Sequence, residues 1–278
     1  MTRIICVINQ KGGTGKTTTA INVSACLASK DYKTLIIDIE PQANASLALG
    51  VDIHMLERTM YDVLLEDSVG LDDIIAKTTT KNLMLAPTHV DLANTDINLA
   101  NRKDKQFRLK DKIATMRSKF DYILIDCPPS LSLLPLNALV ASKEVIIPLQ
   151  ADYLSLEGLE QLISTIDKVR DNFNSGLKLL GILFCMVDGR MKMTKKSIET
   201  VKEHFNELVF TTMTGLCVKL KEAATFGQSI FEYAPKSKGA LDYRNITEEI
   251  IQRGNILYKP KFFPLTVPNR IKEFLDTL

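Results

Sequence analysis

No apolar run in this 278-residue sequence approaches the roughly 18–20 residues that a transmembrane helix needs, which excludes a membrane-spanning chain. The opening stretch has one arginine and a short apolar run that ends in a Gly/Lys cluster. It lacks the small-residue cleavage pattern of a secretory signal and reads as a first strand. The five cysteines, Cys6, Cys26, Cys127, Cys185 and Cys217, form no CxxC pair and sit mostly in apolar context, as reduced thiols buried in a cytoplasmic protein do. No Gly-, Ser- or Pro-rich linker and no internal repeat divides the chain, so one domain is expected. Charge is also nearly balanced: 35 Lys and Arg against 33 Asp and Glu give a net +2, which alone says nothing about nucleic acid. The balance is uneven along the chain, with 15 basic against 10 acidic residues from residue 190 onward. That excess matters only if the basic residues share a face. A hydrophobic content of 45% with 24% charged residues is that of a globular chain and excludes disorder, collagen and low-complexity arrays.

What is present is an alternation of strand-like and helix-like stretches. Strands are expected over 3–8, 34–38, 82–86, 122–126, 144–149 and 177–187. Helices are expected from the Gly cluster to about residue 30, and over 104–119, 155–173, 194–206 and 239–252. The runs at 35–37 and 122–125 are apolar on consecutive positions, so both faces of these strands must be covered. Alternating β and α elements then favour an α/β doubly wound, mostly parallel sheet with right-handed crossovers. The last 25 residues break this rhythm. Pro260, Pro264 and Pro268 prevent a continuous helix, so an extended arm packed through Phe262 and Phe263 is expected, then a short amphipathic helix with Ile271, Phe274, Leu275 and Leu278 on one stripe. The boundary between domain and arm is placed at 255/256.

The segment that carries chemistry is Gln10-Lys11-Gly12-Gly13-Thr14-Gly15-Lys16-Thr17-Thr18, set between a strand and a helix. Backbone N–H groups of such small residues can wrap a polyphosphate, helped by the helix N-terminus. Lys16 is placed to reach the β- and γ-phosphates and the Thr17 hydroxyl to bind Mg²⁺. The usual phosphate-loop pattern has a glycine five positions before Gly15. Gln10 stands there, and a second lysine, Lys11, opens the loop instead.

With that leading lysine the loop is the deviant Walker A signature, and the chain resembles a ParA/MinD-type ATPase. Asp38-Ile39-Glu40-Pro41-Gln42-Ala43-Asn44 resembles the second family motif and Asp126-Cys127-Pro128-Pro129-Ser130 the Walker B region. Gln150-Ala151-Asp152-Tyr153-Leu154-Ser155-Leu156-Glu157-Gly158-Leu159 is similar to a stretch of the small chromosomal ParA branch, often called Soj. Val187-Asp188-Gly189-Arg190, Phe226-Gly227 and residues 233–240 continue the match. No helix-turn-helix segment precedes the loop, which argues against the larger plasmid type.

The resemblance implies a slow ATPase that uses ATP and Mg²⁺. Gly12, Gly13, Thr14, Gly15, Lys16, Thr17 and Thr18 would bind nucleotide. Asp126 would reach the metal through water, with a helix cap as its structural alternative. Lys11 would reach the partner subunit's nucleotide across an ATP-dependent homodimer. Glu40 would take the water-orienting role for which the family uses Asp, at a cost from its extra methylene. Asp38 would sit beside the metal's water shell or, alternatively, cap the loop. Family dimers bind DNA without sequence preference. By position Lys219, Lys236 and Lys238 are the candidates here, with Arg190, Lys195, Lys196 and Arg244 as additions and an ordinary solvated surface as the alternative. Residues 214–220 depart from the family's IPRNxRL loop, which leaves the adenine contacts open. The implied setting is DNA partition on the nucleoid, stimulated by a ParB-like protein. A MinD-like membrane-cycling ATPase is the alternative, set back by a C-terminal stripe without a net basic face. An iron–sulfur protein of the nitrogenase iron-protein kind ranks third, because Cys127 lacks the cluster context.

Overall fold

Six strands of the chain lie side by side with their C-terminal ends pointing one way, and the helices that connect them cover both faces. The computed structural model describes residues 1–130 and 132–255. The expected arm and stripe of 256–278 lie outside the described residues. In chain order the elements are β1 (Arg3–Val7), α1 (Lys16–Ser29), β2 (Thr34–Asp38), α2 (Asn44–Ala48), α3 (Met60–Leu65), β3 (Ala76–Lys77), β4 (Leu83–Ala86), α4 (Thr95–Asn98), α5 (Arg108–Ala114), β5 (Tyr122–Asp126), α6 (Leu133–Ala141), β6 (Glu144–Leu149), α7 (Tyr153–Asn172), β7 (Lys178–Phe184), α8 (Lys192–Phe205), α9 (Val218–Thr225), α10 (Ile230–Tyr233) and α11 (Lys238–Asn255). The sheet order is β3-β4-β2-β5-β1-β6-β7, parallel except for β3, which pairs antiparallel with β4 at the edge.

The period-two geometry of strands explains why consecutive positions are apolar. On one face Ile4, Cys6, Leu35, Ile37, Ile123, Ile125, Val145 and Ile147 join a core with α3, α5, α6 and α7. On the other face Ile5, Val7, Ile36, Leu124 and Ile146 join α1 and α11. Because nearly all side chains of the central strands are buried on one face or the other, the hydrophobic effect favours a covered parallel sheet, at roughly 25 cal/mol per Å² of apolar surface removed from water.

Two expectations are corrected. The helix expected over 104–119 is only Arg108–Ala114. Upstream, Arg102 and Arg108 pair with Asp104, which holds that stretch in a turn. Downstream, the Thr2 hydroxyl donates to the carbonyls of Arg117 and Phe120, so these groups serve the N-terminal strand and not a helix ladder. The second correction is β3, two residues long, which has no periodicity to betray it.

The register places the functional ends. Asp38 stands opposite Asp126, which in turn stands opposite Val7, the last residue before the loop. With even-numbered β2 and β5 side chains facing α1, both carboxylates point to the face that carries Lys16 and Thr17. The site therefore forms where the strand order reverses at β1, the usual crevice of an open α/β sheet.

Candidate nucleotide site

Residues 8–15 leave β1 and turn sharply into α1. Gly13 has φ 73° and Gly15, which caps α1, has φ 94°, values that an L side chain rarely tolerates. A Cβ at Gly12 or Gly13 would meet nothing within 4 Å, so the loop presents bare backbone beside open space. The loop is braced from three sides. Asn9 donates through Nδ2 to Pro148 O at 2.7 Å and accepts the Lys11 N–H at 3.0 Å. Gln150 Nε2 donates to Gly13 O at 3.1 Å. Thr14 is fully buried, with its hydroxyl 3.4 Å from Lys11 O. Sequence reasoning gives Asn9 and Gln150 no part, although they stand two residues past β1 and one past β6, strands that end at the loop.

The two loop lysines differ in environment. Lys16 is 6% exposed and donates from Nζ to Lys11 O at 3.1 Å. Burial lowers its pKa, while Asp126 and Glu40 pull it the other way. Lys11 turns outward. Its Nζ lies 2.8 Å from both oxygens of Asp152 and 3.2 Å from Ser155 Oγ, at the start of α7. Burial raises the pKa of Asp152, but the Lys11 ammonium and the Ser155 N–H outweigh it and hold the carboxyl below its usual range. Sequence reasoning gave Asp152 and Ser155 no role. Their signal in the sequence is the Gln150–Leu159 stretch, which is similar to the Soj branch.

Three acids surround the mouth. Asp38 is fully buried; Oδ1 accepts the Glu40 N–H at 3.0 Å and Oδ2 accepts the Ser46 N–H at 2.8 Å and hydroxyl at 2.7 Å. It thus caps the β2–α2 loop, and burial pushes its pKa to about 6 against those three donors. Glu40 is 8% exposed, accepts the Gln42 N–H at 3.3 Å, and is raised by burial. Asp126 is fully buried and neither carboxylate oxygen has a hydrogen-bond partner. Burial, then the charge of Asp38, lift its pKa well above the usual range. Thr17 sits near enough to favour the charged form without completing a hydrogen bond to it. Gln10 Nε2 is a further buried donor without a partner.

An orphaned buried carboxylate beside a threonine hydroxyl, a buried lysine and an open glycine cradle fits a metal–polyphosphate. Buried ionic groups are tolerable only when compensated; among the described residues no hydrogen bond satisfies Asp126, and the Lys16 charge and nearby Thr17 offset its burial only in part. Among the described residues no group of three or more His, Cys, Asp or Glu side chains could hold a metal.

Cys127 points into the core, 1% exposed, with its sulfur 3.4 Å from that of Cys6. It lies among apolar side chains and not at a surface where a cluster could be shared. Far along the chain, Lys219, Lys236 and Lys238 are exposed. Lys219 Nζ lies 2.7 Å from Glu222 and 5.6 Å over the Tyr233 ring, so part of its charge is answered locally. Lys238 lies against Gly215: a Cβ there would stand 3.0 Å from its Nζ. Arg190 pairs with Asp188, and Arg244 donates to Pro235 O. Among the described residues no helix is long and apolar enough to cross a membrane.

A parallel sheet with a glycine loop between its first strand and first helix, and a buried carboxylate on the neighbouring strand, defines a phosphate-loop nucleotide-binding protein of the open α/β class. A family model described as an AAA domain matches residues 2–179. The sequence is 41% identical over 254 residues to the sporulation initiation inhibitor protein Soj of Bacillus subtilis, covering 91% of this chain and 100% of that protein. It is 43% identical over 251 residues to the chromosome partitioning protein ParA of Myxococcus xanthus, covering 90% and 88%. A similar solved structure is a cobyrinic acid a,c-diamide synthase from Mycobacterium smegmatis with bound ADP and magnesium, with TM-score 0.80 and 33% identity over 91% of this chain and 96% of that one. The chain belongs to the Soj/ParA family of chromosome-partitioning ATPases.

Proposed function

We propose that this protein is a DNA-partition ATPase that hydrolyses ATP slowly, dimerises in the ATP state, binds DNA without sequence preference as a dimer, and is stimulated by a ParB-like partner. The observation that supports this most is the outward Lys11, whose ammonium bonds no atom of its own loop and is held by the partly exposed Asp152 carboxylate and the Ser155 hydroxyl. In this reading Gly12, Gly13, Thr14, Gly15, Lys16, Thr17 and Thr18 bind the phosphates through backbone N–H groups and the Lys16 ammonium. Thr17 and, through water, Asp126 hold Mg²⁺, which when bound draws negative charge off the phosphates. Asp38 fixes the loop that presents Glu40, and Glu40 orients the attacking water. Lys11 lends its charge to the partner subunit's nucleotide.

Glutamate at position 40 moves the carboxylate by about one C–C bond relative to aspartate, and a displacement near 1 Å can cost about 10²-fold in a positioned reaction. Glu40→Asp is therefore expected to change phosphate release by ten- to a hundredfold, on the order of that estimate. An identical rate in a single-turnover assay would remove Glu40 from the reaction.

DNA binding is assigned to Lys219, Lys236 and Lys238, duplicated in the dimer. Each phosphate contact contributes roughly 0.9 to the slope of log affinity against log salt. The Lys236→Ala/Lys238→Ala double variant is expected to retain nucleotide and to lose most DNA retention. Its salt slope should fall by about 0.9 per lost contact. Wild-type gel retardation by this variant would discredit the assignment. The membrane-cycling alternative turned on residues 256–278, outside the described residues. Nucleoid association follows from the DNA reading.

A further inference from the structure

Two consecutive residues of α11 hold two different parts of the molecule. Asp242 Oδ2 accepts the Gly215 N–H at 3.2 Å, in the loop that leads to Lys219. Tyr243 is 1% exposed and its hydroxyl lies 3.2 Å from Thr19 Oγ1, in the first turn of α1. The Thr19 N–H in turn donates to Gly15 O at 2.8 Å, so Tyr243 is two hydrogen bonds from the phosphate loop. The same helix opens at Lys238, packed against Gly215. A parallel tie joins Asn22 Oδ1 on α1 to the Ile230 N–H at 2.9 Å, where α10 begins. Ile246 and Ile250 of α11 share the core of α1, so the two helices pack as one body along their length. Apolar contact alone would fix that body without specifying its register. The buried polar bonds do, because each hydroxyl or carboxylate accepts only a narrow range of partner positions.

We propose that Asp242 and Tyr243 form a junction that transmits nucleotide occupancy of the phosphate loop to the basic edge at Lys219, Lys236 and Lys238. Both are positioning residues: they touch neither nucleotide nor DNA. Ordering of Gly15 and the first turn of α1 by a triphosphate moves Thr19; Tyr243 follows Thr19; Asp242, its neighbour in the chain, carries the shift to the Gly215 loop and so to Lys219 and Lys238. The proposal rests on the DNA-binding reading above. By linkage, any such coupling must act equally in both directions.

The test compares wild type, Tyr243→Phe and Asp242→Ala in Mg²⁺ with ATP or ADP, by anisotropy of a short mixed-sequence duplex and by amide hydrogen exchange over residues 214–220. Wild type is expected to bind the duplex more tightly with ATP and to show protection of 214–220 that depends on ATP. Tyr243→Phe is expected to keep its nucleotide affinity, to lose roughly three- to tenfold of the ATP-dependent gain in DNA affinity, the scale of one hydrogen bond, and to lose the protection. DNA should raise ATP affinity less in this variant by the same factor, a reciprocity that a merely destabilised protein does not show. Should Tyr243→Phe fail to fold, Asp242→Ala decides by the same readouts. Both variants keeping the wild-type ATP-to-ADP ratio and exchange pattern overturn the junction. Wild type that ignores DNA but shows ATP-dependent protection lost in the variants sinks the DNA reading and leaves the junction standing.

Discussion

Lys11→Ala is expected to bind ATP within a few-fold of wild type, to stay monomeric with ATP, and to release phosphate roughly 10³–10⁵ times more slowly, the scale of a cation supplied in trans. The reason lies in where the ammonium is held. Lys16 is buried under the loop, and its loss would remove nucleotide binding outright. Lys11 is parked on Asp152 and Ser155, with its side chain 33% and that of Asp152 41% exposed. Ion pairs this exposed contribute about 0–1 kcal/mol, so a triphosphate offered by a second subunit competes for the ammonium easily. The variant therefore loses little fold stability and little intramolecular phosphate contact, but all of the charge lent across the dimer. Sedimentation velocity with ATP and Mg²⁺, beside a phosphate-release assay, separates these effects. Asp152→Asn serves as the control: it frees the lysine and should associate at least as readily as wild type. An ATP-dependent dimer in Lys11→Ala would remove the trans role altogether.

The sequence carried more of the sheet than of the site. Thr34–Asp38, Tyr122–Asp126 and Glu144–Leu149 are found at the expected residues, because a β-rich apolar run bounded by charged or polar residues has few other homes. The long helices α7, α8 and α11 also lie within two or three residues of expectation. What escaped were elements fixed by tertiary bonds and not by pattern. β3 exists because Ala76 and Lys77 pair with β4, and α5 ends early because Thr2 takes carbonyls from the residues beyond it. The loop motif named Lys16 and Thr17 through chemistry that a few adjacent residues define. It could not name Asp152, Ser155 or Tyr243, which are 141, 144 and 224 residues from their partners in the chain. For Asp38 the sequence left two readings open, the metal's surroundings or a loop cap, and the geometry shows Glu40 and Ser46 on both oxygens, the capping arrangement.

Asp126→Asn is expected to slow phosphate release by at least about 10²-fold, since a metal-held phosphate draws several kcal/mol from correct placement. The same variant is expected to be more stable than wild type when nucleotide is absent. Both carboxylate oxygens of Asp126 are buried without a partner, and its pKa is raised chiefly by that burial. A carboxyl raised in the folded state contributes stability that is fully present below the unfolded pKa, about 3.9, and is lost as pH rises through the folded pKa. Between those limits each pH unit costs the nucleotide-free protein about 1.4 kcal/mol per such group. Asp38, raised to about 6, acts with the same sign up to that pH. Asparagine cannot ionise, so the difference in melting temperature between Asp126→Asn and wild type should be small at pH 4 and widen as pH rises above it, until the buried carboxyl ionises, at roughly 2–4 °C per kcal/mol. Adding ATP and Mg²⁺ should close the gap from the wild-type side, because a bound cation compensates the ionised carboxylate, and should do little for the variant. Thermal unfolding across this pH range, with and without Mg²⁺ and ATP, checks both halves. Parallel curves for the two proteins would mean that the Asp126 carboxylate is already compensated within the fold, leaving no electrostatic reason for a cation to be drawn there.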